Sequence, residues 1–244
     1  MPALRSYLLL ITWQALRLKG FLPLAMVVQA LFAFGIVVGY PLLFPSIDKG
    51  TILFLATGAP AITLLSMGLV AVPQVVAQAK VEGTLEFMRT LPVPRLVYLL
   101  ADLTVWLAIV LPGLVFAVVV GAIRFGLVLQ VSPLVVPAML LVTLTATSIG
   151  YAIASLLPAM LANLLSQVLV VFVLMFSPLN FPADRLPGWL AAIQRVLPIE
   201  AMGEVIRGTL AENVFPLRVG PFLLITAWCV ASFVITHVVM NRRG

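Results

Sequence analysis

Six long apolar blocks occupy most of the sequence, and polar residues gather in the gaps between them. A helix needs about 20 apolar residues to cross a bilayer. By that measure the blocks predict transmembrane spans at about 21–44, 52–76, 96–122, 134–156, 161–179 and 222–240. Residues 45–50, PSIDKG, make the first turn, and Pro60 and Pro73 fall inside or near the second span. Arg124 and residues 130–133 form a short loop, and Pro158 breaks the chain before the fifth span. Residues 241–244 form a short basic tail.

Helical spacing also appears outside these blocks. In residues 2–20, Leu4, Tyr7, Leu8, Ile11 and Ala15 fall on one face, from which Arg5, Thr12 and Lys19 depart. Tyr7 and Trp13 suit headgroup depth, while Arg5, Arg17 and Lys19 suit an anionic leaflet. The prediction for 1–20 is an amphipathic helix lying in the interface; the alternative is an early start to the first span. Between the last two spans, at 180–221, Leu186, Trp189, Leu190, Ile193 and Leu197 recur at three and four, as in a one-sided helix. Pro187 suits its first helical position and Pro198 its stop. Residues 199–210 repeat the spacing with Ile199, Met202, Ile206 and Leu210. Two short external helices are therefore expected, packed over the outer end of the bundle.

The most charged interruption of the first half is 78–95, QAKVEGTLEFMRTLPVPR. It holds Lys80, Glu82, Glu86, Arg89 and Arg95, with Gly83 near its start and Pro92 and Pro94 at its close. Such a segment between two spans is either a plain turn or a handle gripped by a soluble partner.

Composition narrows the class. Of 244 residues, 63% are hydrophobic and 9% charged, against about a quarter charged in soluble domains. The fold class that follows is an all-α integral membrane protein, read as one transmembrane domain over 1–244. The excess of basic residues sits in short flanking segments, which serves orientation rather than nucleic-acid binding. With six spans both termini share a side, and Arg5, Arg17, Lys19, Lys80, Arg89, Arg95, Arg242 and Arg243 lie on it. Lys49, Arg124, Arg185, Arg195, Arg207 and Arg218 lie opposite, four of them in one segment matched by Asp184, Glu200, Glu204 and Glu212. Both termini and the charged handle are thus assigned to the cytoplasm. The N-terminus lacks the order of a cleaved signal, so the first span itself is expected to direct insertion. Cys229 stands alone in an apolar run and reads as a small hydrophobe.

Several chemistries are absent. Leu18, Asp48 and Ala79 precede the three lysines, so no GxxxxGK[ST] phosphate loop exists and ATP is not hydrolysed by that route. There is no HExxH, and the only histidine, His237, near the end of the last span, reads as an interfacial residue. The expectation is of no catalytic residues, no metal site and no cofactor bound by this chain. Within the spans the polar residues noted are Gln29, Asn163, Gln167 and a row of Thr143, Thr145, Thr147 and Ser148, with no buried Asp, Glu, Lys or Arg. Ion-driven carriers hold such charges near the midplane, so energy is expected from outside the chain. Gln29, Thr143, Thr147, Asn163 and Gln167 are the candidates for lining a path; the alternative for the hydroxyls is back-bonding to their own helices. Gly35-Ile-Val-Val-Gly39, and Ala146, Gly150 and Ala154, space small residues by four, as in close helix contacts.

These residues resemble the membrane subunits of type-2 ATP-binding-cassette exporters, the ABC-2 permease superfamily. Val81-Glu82-Gly83-Thr84-Leu85-Glu86 followed by Leu91-Pro92-Val93-Pro94-Arg95 is similar to the family's segment between spans two and three. Ser177-Pro178-Leu179-Asn180-Phe181-Pro182, Leu186-Pro187-Gly188-Trp189-Leu190 and Leu197-Pro198 are similar to its external helices. At the family's basic-Glu-Arg position this chain departs, reading Gln78-Ala79-Lys80-Val81. The resemblance implies that Glu82, Gly83, Thr84, Leu85, Glu86, Phe87 and Arg89 form a coupling helix docking on a cytoplasmic ATPase subunit. It implies an external gate at Pro182, Leu186, Pro187, Trp189, Leu190 and Pro198. It further implies a dimer with a second permease subunit, two ATPase copies carrying ATP and Mg, and a place in the cytoplasmic membrane of a prokaryote. Substrates of such exporters include drugs, antibiotics, lipids and lipid-linked glycans. The competing reading is a membrane subunit of a haem-export or scaffolding assembly.

Overall fold

The computed structural model describes residues 2–35, 39, 49–84, 87, 93–125, 130–179 and 187–242. Regular structure among them is helical throughout. Helix α1 covers Pro2–Arg17 and α2 Phe21–Phe34. Helix α3, Lys49–Ser66, runs through a π turn at Met67–Ala71 into α4, Val72–Val81. Then follow α5 (Arg95–Phe125), α6 (Val135–Leu156), α7 (Ala159–Phe176), α8 (Gly188–Val196), α9 (Pro198–Leu210) and α10 (Val219–Arg242). Among the described residues four helices are long and apolar enough to cross a membrane: 53–81, 135–156, 159–176 and 219–239. Helix α2 begins where the first span was expected, and residues 40–48 of that span and its turn lie outside the described residues. Helix α5 runs unbroken for 31 residues past Pro112.

The α3–α4 rod is the axis of the bundle. Pro73 has no N–H to donate, and the chain widens just before it, with the Val72 N–H reaching back to the Met67 carbonyl. The Thr63 hydroxyl bonds back to the Ala59 and Pro60 carbonyls at 3.2 and 2.7 Å. The helix does not stop at Val76 as the apolar pattern predicts; it continues to Val81. The charged interruption therefore starts inside a helix, and Gln78–Val81 are its last turn.

Apolar surface gains nothing by leaving lipid for another apolar surface, so helix association inside a membrane rests on close packing. Here small residues supply it. A methyl group at Gly150 would overlap the Gly68 carbonyl, and one at Gly68 would overlap Ala146. The spacing of Ala146 and Gly150 is thus used within the chain, to bring α6 onto the π turn. Gly35 of the other small-residue pair is exposed, with open space where its side chain would be. Trp106 and Ile109 of α5 pack into the same core as Ile62, Leu64 and Leu65. Helix α10 lies along α6 and buries Ile225, Cys229, Ser232 and Thr236.

Two expectations change. Asp102 lies within the predicted third span and is 5% exposed, so the spans do hold a buried acid. It sits two turns from the start of α5, where α1 packs alongside. The second concerns the external helices. Helix α9 buries Ile199, Met202, Ile206 and Leu210 as predicted, but also most of its other residues, and so is a core element. Helix α8 buries Leu190 and Gln194 and leaves Trp189, Ile193 and Val196 exposed. Pro187 stands just before the first turn of α8 rather than within it.

Candidate functional site

Gly83 carries the geometry of the coupling segment. Its φ of +73° is the only positive value among the described residues, and it ends the α4 helix. Glycine reaches this region without steric cost, which is why helices so often finish on it. The Glu82 N–H bonds to the Gln78 carbonyl (3.0 Å) and the Gly83 N–H to the Lys80 carbonyl (3.3 Å). Beyond the turn, the Phe87 N–H returns to the Gly83 carbonyl at 2.9 Å. Thr84 is half-buried, and Phe87 is exposed. Leu85, Glu86 and Arg89 lie outside the described residues.

Side chains tie this corner to two other elements, α1 and α6. Glu82 accepts from Gln78 Nε2 at 3.0 Å and lies 3.7 Å from the Arg17 guanidinium in the last turn of α1. Arg17 also sits over the Trp13 ring (5.7 Å) and, with Gln14, Tyr98 and Tyr151, lines a small cavity shared with Asp102. Arg17 is therefore common to an exposed acid of the coupling segment and a buried acid of α5. Helix α1 is held on α5 by Tyr7, whose hydroxyl is 2.7 Å from that of Thr104, and by Leu10 against Tyr98 and Ala101. Of the predicted α1 stripe, Tyr7 and Ile11 face this contact, whereas Leu4 and Leu8 join Leu9 and Leu16 on the exposed side.

Lys80 makes the second tie. Its ammonium donates to the carbonyl of Ala154 and to that of Leu157 at 3.1 Å, at the C-terminus of α6. The last carbonyls of a helix lack intrahelical donors and carry partial negative charge, so a lysine there satisfies both needs. Sequence reading treated Lys80 as a topogenic charge. Its partners are more than seventy residues away, and no local signal announces them.

The five candidate path residues do not converge. Gln29 donates to the Ile109 carbonyl at 3.3 Å and lines a cavity of about 210 Å³ with Phe21, Thr63, Ser66, Met67 and Gln74. Thr143 and Thr147 are buried, and their hydroxyls bond back to the Met139 and Thr143 carbonyls at 2.7 and 2.8 Å. Asn163 and Gln167 are exposed one turn apart on α7.

At the opposite end of the bundle, polar side chains of α8 and α9 cap α7. Gln194 Nε2 donates to the Phe176 carbonyl at 3.1 Å. Arg207 donates through one amino group to the carbonyls of Pro178 (3.2 Å) and Leu179 (2.5 Å). Its guanidinium lies 3.6 Å from the centre of the Phe54 ring, and a side chain at Gly58 would meet it. Burial pulls the Arg207 pKa down to about 9, against the upward influence of Glu204 and Glu200, so the group stays charged at neutral pH. Trp228 of α10 donates to the Val196 carbonyl at 3.0 Å, finishing α8. Of the predicted gate residues, Leu190 and Pro198 are buried and Pro187 and Trp189 exposed. Pro182 and Leu186 lie outside the described residues.

A bundle of long apolar helices is the architecture of an integral membrane protein. The family model of the ABC-2 type transporter matches residues 6–211, and the chain belongs to that family. It is an integral membrane protein and a permease component of an ABC transporter, a family that typically works with an ATP-binding-cassette subunit. Among curated proteins no match was found.

Proposed function

We propose that the chain is the membrane subunit of an ATP-driven exporter for a hydrophobic or amphipathic substrate such as a drug, antibiotic, lipid or lipid-linked glycan. Six spans, with both termini and residues 78–95 in the cytoplasm of a prokaryotic cell, complete the reading, and α1 lies in the interface. Two ATPase subunits, carrying ATP and Mg, dock on Glu82–Arg89. The observation that carries this is the rigging of that corner: Glu82 to α1 through Arg17, and Lys80 to α6. A push on Glu82–Phe87 would move α4 directly and α1 and α6 with it. Exposed charge and the exposed Phe87 ring suit a groove on a soluble partner.

A second permease copy is supported by α7. Asn163 and Gln167 are exposed on a helix of otherwise apolar surface, and an amide left in lipid without a partner costs several kcal/mol, roughly. A facing α7 supplies partners, and the 210 Å³ cavity reaches Val170 on the same helix. The path is then formed between copies. Affinity purification of the tagged chain from its native membrane tests the reading. Recovery of an ATP-binding-cassette subunit with a second permease copy is expected; a chain that never retains an ATPase subunit contradicts it.

A further inference from the structure

The outer end of the bundle holds an open cavity of about 840 Å³, within the range of small-molecule sites. Arg195 of α8, Glu200, Glu204 and Arg207 of α9, and Arg218 before α10 line it, with Phe54 on the apolar wall. Five charged side chains around one cavity ordinarily neutralise one another. Here, among the described residues, no ion pair joins any two of them. Glu200 has one buried carboxylate oxygen, and Arg207 its buried Nε, without a hydrogen-bond partner.

Arg207 is 5% exposed, and its bonded neighbours are backbone carbonyls and the Phe54 ring. Carbonyls satisfy its protons but leave its full charge, and a buried charge without an adjacent counter-charge is costly. Three guanidiniums against two carboxylates leave a positive excess. Burial, and then the neighbouring Glu204, push the Glu200 carboxyl upward. Phe215 meets Phe54 edge-on at 6.2 Å, so the charged rim lies beside an aromatic wall.

The geometry points to a binding site in this cavity for the anionic group, phosphate or carboxylate, of an amphipathic ligand, with its apolar part against Phe54 and Phe215. Guanidinium groups match such anions in shape and charge. The site's position on the outer face rests on the orientation proposed above; the binding itself does not. The site lies at the end of the bundle away from Glu82, so ligand binding is separable from ATPase docking.

The test is calorimetric titration of the purified full chain, in a neutral maltoside detergent, with dihexanoyl phosphatidic acid. Dihexanoylglycerol is the uncharged control and inorganic phosphate the competitor. Arg195 and Arg218 are exposed, so Arg195→Ala/Arg218→Ala is expected to keep the thermal unfolding of the parent, and Arg218→Ala alone is the second variant. Saturable binding of the phosphatidic acid, about tenfold weaker in the double variant and absent for the uncharged control, is expected. Competition by phosphate marks a site for the anion itself, and its failure marks one that needs the acyl chains too; both uphold the proposal. No saturable binding, equal affinity in the double variant, or equal binding of dihexanoylglycerol overturns it.

Discussion

Lys80 spans from the last turn of α4 to the end of α6, donating to the carbonyls of Ala154 and Leu157. The contact joins the start of the coupling segment to α6. Hydrogen bonds from a charged group are worth about 1.5–3 kcal/mol each where they are shielded from water. Lys80 is half-buried, so Lys80→Met is expected to lower stability by about 1–2 kcal/mol in total. Thermal unfolding in detergent reads the effect. Lys80→Arg, which keeps charge and donors, should lose less, and equal loss in both variants would argue against capping.

Gly83 and Gly150 fail for different reasons. Gly83→Ala has open space for its methyl but must hold φ at +73°, which costs about 1–2 kcal/mol. Gly150→Ala meets the Gly68 carbonyl of the facing helix, and backbone cannot yield as a flexible side chain can. A loss of about 2 kcal/mol or more is expected there, seen as a lower yield of monodisperse protein. Gly35→Ala has neither problem and should change stability by less than about 0.5 kcal/mol.

Much of this was legible in the sequence, and the rest was not for definable reasons. Apolar length located the starts of α2, α5 and α6 because bilayer thickness fixes it. The three-and-four spacing found α8 and α9. What escaped depends on contacts distant in sequence. Arg207 was counted only as one of the charges opposite the termini, although Gly203 and Gly208 beside it signal tight surroundings. Asp102 was passed over because it falls near a span end, where acids are usually wet. The extension of α4 to Val81 was missed because Gln78 and Lys80 look like loop, yet Ala79 between them is buried and Lys80 has a carbonyl cage to fill. Leu4 and Leu8 of α1 face away from the bundle because that helix packs by Tyr7, Leu10 and Ile11 instead.

Glu200 gives a pH signature. Its pKa is raised above the ordinary 4.5, first by burial and then by Glu204, against Arg195 and Arg207. A carboxyl raised in this way burdens the folded state as it ionises. The burden is absent below the unfolded pKa and complete once pH exceeds the folded one. Glu200→Gln, which cannot ionise, should therefore gain in melting temperature over the parent as pH rises from about 4.5 toward neutrality. A difference that stays constant across that range would place the carboxylate in water.

The docking of an ATPase subunit on Glu82–Arg89 is measured most directly by charge reversal. The purified ATPase subunit is titrated onto the solubilised chain and onto Glu82→Lys/Glu86→Lys, with stimulated ATP turnover followed in parallel. Arg17→Gln is the control, since it removes the 3.7 Å ion pair of Glu82 and leaves the docking charges intact. The pair is partly exposed, so its own contribution is about 0–1 kcal/mol and this variant should bind nearly as the parent does. The double reversal is expected to weaken association by about tenfold or more and to abolish the stimulation. Unchanged affinity and turnover in the double reversal would contradict the account.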